Sequence, residues 1–427
     1  MASSTRRAVL TGIGVISPIG LDVPSYWDSL SKGQSGIQTI KAFDPGGLPV
    51  RFAGEVKNFD AKNYLDKKDR KSLRMMARTI QLAVAAAQLA VDDSKVDKNQ
   101  LDPARFGVNF GASLIASELE ELGVAAQLSA NCQPEVTDLE KWGERGIAAI
   151  PPLWMLKYLP NMLACHVSIL HNAQGPNNTV TESDVASLLA FGEAFRIIGR
   201  DRADFFLVGG GESRINPLSL ARGCLFQKLS KRNDAPEKAC RPFDRHRDGM
   251  VLGEGAGVLV LEELEHAKRR GARIYAEVVG FGAAFDSKKN GSGVARAIGA
   301  ALKDADIKPD QIDHINAHGN STPESDQLEA RGIRESFAGA QAPPRVLAPK
   351  SYLGNLGAGS GTTEIVASLL AFHHGVLPPT LNFEIPDPAC PVMVSAGSPT
   401  PVTRPYFVKI GFTDWGQCAA IVCRNWD

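Results

Sequence analysis

Short apolar runs and longer stretches with helical spacing alternate along this chain. Arg7–Ile13, Phe106–Phe110, Phe205–Val208 and Val258–Glu262 are compact and rich in branched or aromatic side chains, and they predict buried strands. Thr79–Val91 and Ala186–Ile198 place apolar residues three and four apart, and they predict helices. This alternation defines a layered α/β architecture. Ile274–Gly282 repeats the plan of Ala8–Gly14, each a strand ending in Gly-x-Gly, as expected if a second half-fold of similar design begins there. Residues 1–265 and 266–427 are therefore read as two halves.

Composition narrows the class. With 427 residues, 44% of them hydrophobic, the chain can bury a large core. Lys plus Arg and Asp plus Glu both number 47, so no net field draws a polyanion, and nucleic acid is not expected as a ligand. Seven scattered cysteines without C-x-x-C spacing argue against a disulfide framework and a zinc site, and predict a reducing, cytoplasmic setting. The apolar start at Ala8 is too short and too broken by glycine and Pro18 for a signal peptide, and Ile150–Leu170 contains Pro151, Pro152, Lys157 and Pro160. No membrane span is expected. Glu140, Lys141, Glu144 and Arg145 mark 137–147 as an exposed insertion.

Three segments carry candidate chemistry. The run from Gly175 to Ser187, leading into Leu188–Ile198, reads as strand, tight turn and helix. Asp184 lies at that elbow, where unpaired N–H groups and the helix dipole stabilise an anion. Taken alone it reads as a helix cap, a role Ser183 or Thr181 could fill equally. His318 ends the strand-like run Ile312–Ala317 beside a Gly-x-x-x-Pro turn, a position that suits a site or a packing histidine. The glycine-rich stretch from Lys350 to Glu364 matches neither the Walker nor the dinucleotide pattern. Its small residues suit close packing before the helix Ile365–Phe372.

Together these segments resemble the β-ketoacyl synthase family of the thiolase superfamily. The matching motifs run in order: Gly175-Pro176-Asn177, Arg241-Pro242-Phe243-Asp244, Arg247-Asp248-Gly249, Leu252 to Gly257, Glu262-Glu263, the His318 turn, Lys350-Ser351, Gly354 and Gly357 to Glu364. The resemblance implies a thiolase fold with duplicated half-folds in an αβαβα layering. It also implies an active-site pattern of one cysteine and two histidines, in which the cysteine stores the acyl chain and the histidines assist malonyl decarboxylation. Position by position the cysteine falls on Asp184, the first histidine on His318 and the second on Asn355, while the supporting Lys350 and Glu364 are present. Met162 falls in the acyl-pocket region and Phe412 on the gate phenylalanine. The loop after it, Thr413-Asp414-Trp415-Gly416-Gln417, lacks the family's glycines.

These changes remove ordinary condensation. An acyl-aspartate would be an anhydride rather than a thioester, and Asn355 cannot shuttle a proton. The resemblance then implies a chain length factor, the inactive partner of an active ketosynthase, although such subunits commonly carry glutamine at the elbow. The alternative is an enzyme of altered chemistry that uses Asp184 and His318 as acid and base on a carrier-bound acyl chain. A third reading is a non-catalytic acyl-binding homodimer. The discriminating feature is whether Asp184 bonds His318 in an open pocket or is tied up as a cap. The expected partners are a ketosynthase subunit or a second copy, and an acyl carrier protein bearing a phosphopantetheine-linked acyl chain; no cofactor is expected. Lys67, Lys68, Arg70, Lys71, Arg74 and Arg78 form a basic cluster suited to the carrier's acidic surface, or else a solvated helix face. Part of the dimer contact is expected from the strand before the elbow and from Pro160–His166.

Overall fold

The computed structural model describes residues 6–130 and 136–426. Cys132 lies outside them. Ten strands form one mixed sheet: β1 (Ala8–Ile16), β2 (Phe106–Gly111), β3 (Asn177–Val180), β4 (Phe205–Ser213), β5 (Glu254–Glu263), β6 (Ala276–Phe285), β7 (Ile312–Asn316), β8 (Arg345–Leu347), β9 (Tyr406–Phe412) and β10 (Gln417–Asn425). Outward from the centre, one half reads β1, β5, β4, β2, β3 and the other β6, β10, β9, β7, β8. In each half the first two neighbour pairings are antiparallel and the last two parallel. The halves therefore share one topology, as the echoed Gly-x-Gly strands imply. They meet at β1 and β6 through only three residue pairs, Ala8 to Leu10 against Val278 to Ala276.

Helices complete five layers. α2 (Arg78–Ser94) covers β1, β5 and β4, while α5 (Ser292–Asp304) covers β6 and β10 and packs on α6 (Pro323–Ser336). Between the halves lie α4 (Ala186–Gly199) and α7 (Ser360–His374), which touch each other and strands of both halves. α3 (Met162–His171) lies on an outer layer against α2, and α1 (Val23–Ser31) packs against β1 and α7. This is the thiolase-type arrangement. Every residue of α7 from Ser360 to Phe372 is buried, as a helix in the middle layer must be. The close approach has a local cause, since a Cβ at Gly210 of β4 would overlap the Ala358 carbonyl just before α7.

The insertion is built differently from its charge pattern. Segment 137–147 is mostly exposed, but it is helical, with Leu139–Lys141 running into Trp142–Gly146, and it presents Leu139 and Ile147 to solvent at 80% and 57% exposure. Leu114, Val124, Val136, Leu153 and Met155 are exposed in the same stretch of chain. The stretch is exposed as expected, and it carries apolar side chains as well as charged ones. Ile150–Leu170 folds as Trp154–Tyr158 followed by α3, and among the described residues no helix is long and apolar enough to cross a membrane.

Candidate functional site

The elbow forms as β3 gives way to α4. Ser183 takes the left-handed conformation (φ 48°), and Ser183–Val185 makes a single tight turn that presents Asp184 inward, nearly buried. The carboxylate does not cap the helix, because no side chain bonds the exposed N–H groups at its start. Instead Asp184 Oδ1 accepts from Arg214 Nη2 at 3.0 Å and Oδ2 accepts from Asn355 Nδ2 at 3.0 Å. The capping reading is thus overturned by two better donors.

Arg214, which the sequence analysis did not single out, follows β4 directly. Its Nε donates to Glu212 Oε1 at 2.7 Å, so one guanidinium links two carboxylates. Burial opposes its charge, but Glu212 and Asp184 more than offset that and hold it above its ordinary value. Glu212 Oε2 also accepts the Ala358 N–H at 2.7 Å, and Asn355 Oδ1 accepts the Gly357 N–H at 2.7 Å. A Cβ at Gly357 (φ 55°) would overlap the Glu212 carboxylate. Elbow, strand end and glycine-rich loop are therefore pinned together by one polar network. Asn355 further donates to Asn320 Oδ1 at 2.8 Å.

A second network holds His318. Its backbone N–H and that of Gly319 donate to Glu329 at 2.6 and 2.8 Å. Lys350 Nζ reaches the His318 carbonyl at 2.8 Å, Glu364 Oε1 at 2.8 Å and His318 Nδ1 at 3.4 Å. Those three acceptors account for the three ammonium protons, which leaves Nδ1 unprotonated and puts the ring proton on Nε2. Burial first, then Lys350, Lys409 and Arg214, hold the imidazole far below its ordinary pKa, so it is neutral. Glu364 bridges Lys350 and Lys409, and Lys409 also donates to Asn316 Oδ1 and the Ala317 carbonyl, both at 3.0 Å. Lys409 was likewise missed: a lysine inside an apolar strand is legible only once its neighbours are known.

His318 Nε2 stands 4.0 Å from Asp184 Oδ2, too far for a hydrogen bond. A neutral ring with its proton on Nε2 can donate to an oxygen placed there, but it has no lone pair facing the elbow with which to take a proton. Phe412 packs on His318 with ring centroids 4.5 Å apart, and Trp415 in the following loop is 60% exposed. The structure thus brings together Asp184, His318, Asn355, Lys350, Glu364 and Phe412. Met162, at the start of α3, packs half-buried against the core cluster around α2. Lys67, Lys68, Arg70, Lys71 and Arg74 are all exposed, around the short turn Arg70–Met75. Arg78 does not belong with them, because it turns inward onto Glu254 and the Val56 carbonyl.

The chain belongs to the β-ketoacyl synthase family. Residues 5–267 match the family described as "Beta-ketoacyl synthase, N-terminal domain" and 275–384 match the corresponding C-terminal domain. Among curated relatives it is 40% identical over 392 residues to 3-oxoacyl-[acyl-carrier-protein] synthase 2 of Vibrio cholerae, covering 90% of each chain. It is 34% identical over 431 residues to the protein of the same name from Staphylococcus aureus strain COL, covering all of both. Among solved structures it resembles the ishigamide ketosynthase/chain length factor, with TM-score 0.85 and 31% identity over 99% of this chain and all of that one. A type II PKS acyl-carrier protein in complex with its ketosynthase bound to the hexaketide gives TM-score 0.86 and 28% identity, again over 99% and 100%.

Proposed function

We propose that this chain is a ketosynthase-like subunit of fatty acid or polyketide biosynthesis that does not condense acyl chains itself and acts as a chain length factor beside an active ketosynthase. The observation that carries this reading is the occupation of the elbow by Asp184, with both carboxylate oxygens committed to Arg214 and Asn355. A carboxylate so engaged is a poor nucleophile, and neutral Asn355 cannot supply the cationic or proton-shuttling role of a histidine. The altered-enzyme reading needs Asp184 and His318 to exchange a proton; the 4.0 Å gap and the Nε2–H tautomer argue against it.

Pairing is supported by the exposed apolar side chains of 114–156 and by the open outer edge of β3. Such a surface is a liability on a monomer and suits an obligate interface, which in this class exceeds roughly 2,000 Å². The exposed Lys67, Lys68, Arg70, Lys71 and Arg74 fit an acidic acyl carrier protein. The halves 1–265 and 266–427 serve as the two ketosynthase-like domains of this reading.

The test is direct. Offered malonyl- and acyl-carrier protein, the isolated chain gives no covalent adduct by intact mass, whereas an acylated Asp184 or Ser183 peptide would refute the reading. Co-expression with an intact ketosynthase gives a heterodimer, and Asp184→Ala leaves both assembly and product formation in place; normal assembly with lost turnover would favour the altered enzyme instead. Asp184→Cys restores self-acylation without elongation, because Asn355 still lacks an imidazole. Efficient condensation by that single variant would show that the elbow residue alone is responsible.

A further inference from the structure

A second concavity lies far from the elbow. α7 begins beside Asp184 and ends at His373 and His374, so its 15 residues carry the chain about 22 Å away from the site. There α7, α1 and the approach to β6 flank an open surface concavity of about 530 Å³ lined by Trp27, Asp28, Arg273, Tyr275, His373 and His374. That volume falls within the range of small-molecule sites.

Its walls are flat and its charge is one-sided. Trp27 and His374 stack with centroids 4.3 Å apart and planes 6° from parallel. The Arg273 guanidinium lies 4.3 Å over the Tyr275 ring, and its Nη2 is 3.3 and 3.4 Å from the two nitrogens of His373. Arg273 is thus a surface cation whose neighbours are rings, with most of its donors unspent. The lone carboxylate of the lining, Asp28, is exposed and paired with Lys32 at 2.8 Å. Aromatic rings beside the exposed Arg273 guanidinium define the ligand chemistry, a flat ring for stacking and an anion for the cation.

We infer that this cavity binds a planar aromatic ring bearing phosphate, a purine nucleotide, with the base on Trp27 and the phosphate on Arg273, His373 and His374. That chemistry is supplied either by a free nucleotide or by the nucleotide end of coenzyme A. The site does not depend on the elbow chemistry, and among the described residues nothing in the polar networks around Asp184 reaches it. Binding is linked to protons. Burial first, with His373 and Arg273, keeps His374 below its ordinary pKa, and a bound anion reverses the effect of those neighbours. The groups facing His374 are His373 on its own helix, Asp28 with Lys32 on and beside α1, and Arg273 and Tyr275 on the segment entering β6. The complex therefore takes up protons, and affinity rises as pH falls through the histidine range.

Calorimetric titration of the full chain with adenosine diphosphate, adenosine, inorganic phosphate and coenzyme A tests this. Adenosine diphosphate is expected to bind at least about tenfold more tightly than adenosine or phosphate alone, and more tightly at lower pH. Arg273→Glu weakens it by about tenfold or more, Trp27→Leu weakens it while leaving phosphate unchanged, and Asp28→Asn tightens it. Thermal melts of each variant separate lost binding from lost folding, and the gain in Asp28→Asn cannot arise from misfolding. Coenzyme A binding as well as the diphosphate assigns the coenzyme as a source, and binding of the diphosphate alone assigns the free nucleotide. No binding at low millimolar diphosphate, equal affinity for adenosine, or indifference to Arg273→Glu and Trp27→Leu would overturn the inference.

Discussion

Two buried polar networks face each other across the site, and they differ in what they keep. On one side Glu364 holds Lys350 and Lys409, and through Lys350 it positions His318; all but Lys409 are residues that the resemblance assigns to a working ketosynthase. On the other, Asp184 and Asn355, the positions to which the resemblance assigns a cysteine and a histidine, are bonded to each other, and Arg214 links Asp184 to Glu212. The second side is fully paired, since both oxygens of the Asp184 carboxylate have donors. Buried ionisable groups persist only when paired, so the cost of placing an acid at the elbow has been met locally. An aspartate at the elbow therefore need not loosen the fold.

Breaking the first network should have the largest effect. Glu364→Gln leaves two buried ammonium groups without their shared anion, and urea unfolding should show a loss of about 3–5 kcal/mol. A loss below about 1 kcal/mol would mean that Lys350 and Lys409 shed their charge at little cost. Next comes Arg214→Met, which strands Asp184 beside Glu212 and should cost about 2–3 kcal/mol, less than the first because Asp184 and Arg214 keep some contact with solvent. Adding Asp184→Asn should recover part of that, with a coupling of at least about 1 kcal/mol in the double-mutant cycle. Strict additivity would show that the pair is not a functional unit.

The smallest effect is a pH dependence that sharpens the contrast. His318 is neutral when folded and its pKa is depressed, so below the ordinary value of about 6.5 the unfolded chain takes up a proton that the folded protein does not. Its contribution to stability is thus intact above about pH 6.5 and is lost as pH falls, by about 1 kcal/mol over the first unit. Asp326, raised to about 6 by burial, works in the opposite direction. The measurement is therefore the difference between the native protein and His318→Gln, whose stability gap should narrow from about pH 6.5 to about pH 5.5. A constant gap would place the proton on the folded imidazole.

Much of this was legible from residue pattern. The strands and helices lie where alternating runs put them, and Asp184, His318, Asn355, Lys350 and Glu364 converge as their motif order implies. β4 runs on to Ser213 through Gly209, Gly210 and Gly211, against local propensity, because a Cβ at Gly209 would overlap the Gly257 carbonyl of β5 and one at Gly210 the Ala358 carbonyl before α7. Arg214 was invisible for a related reason. An arginine after a glycine run reads as surface, and its burial depends on three segments distant in sequence meeting at one point. The one available signal was Glu212 two residues before it at the end of a strand. Arg78 misled in the opposite sense, since a basic run gives no sign that its last member turns inward to Glu254.

The outer edge of β3 has a mechanical consequence. Val180 ends that strand, and Asp184 follows four positions later on the same taut turn. Whatever neighbour ladders onto this edge grips one end of a short lever whose other end is the elbow. A slip of one residue in that pairing would displace the strand by about 3.3 Å, more than the length of any bond that Asp184 makes to Arg214 or Asn355. If a neighbour pairs there, as the proposed function requires, its register and the alignment of the elbow share the same few peptide units, and a mismatch would be felt at the site before it was felt in the fold.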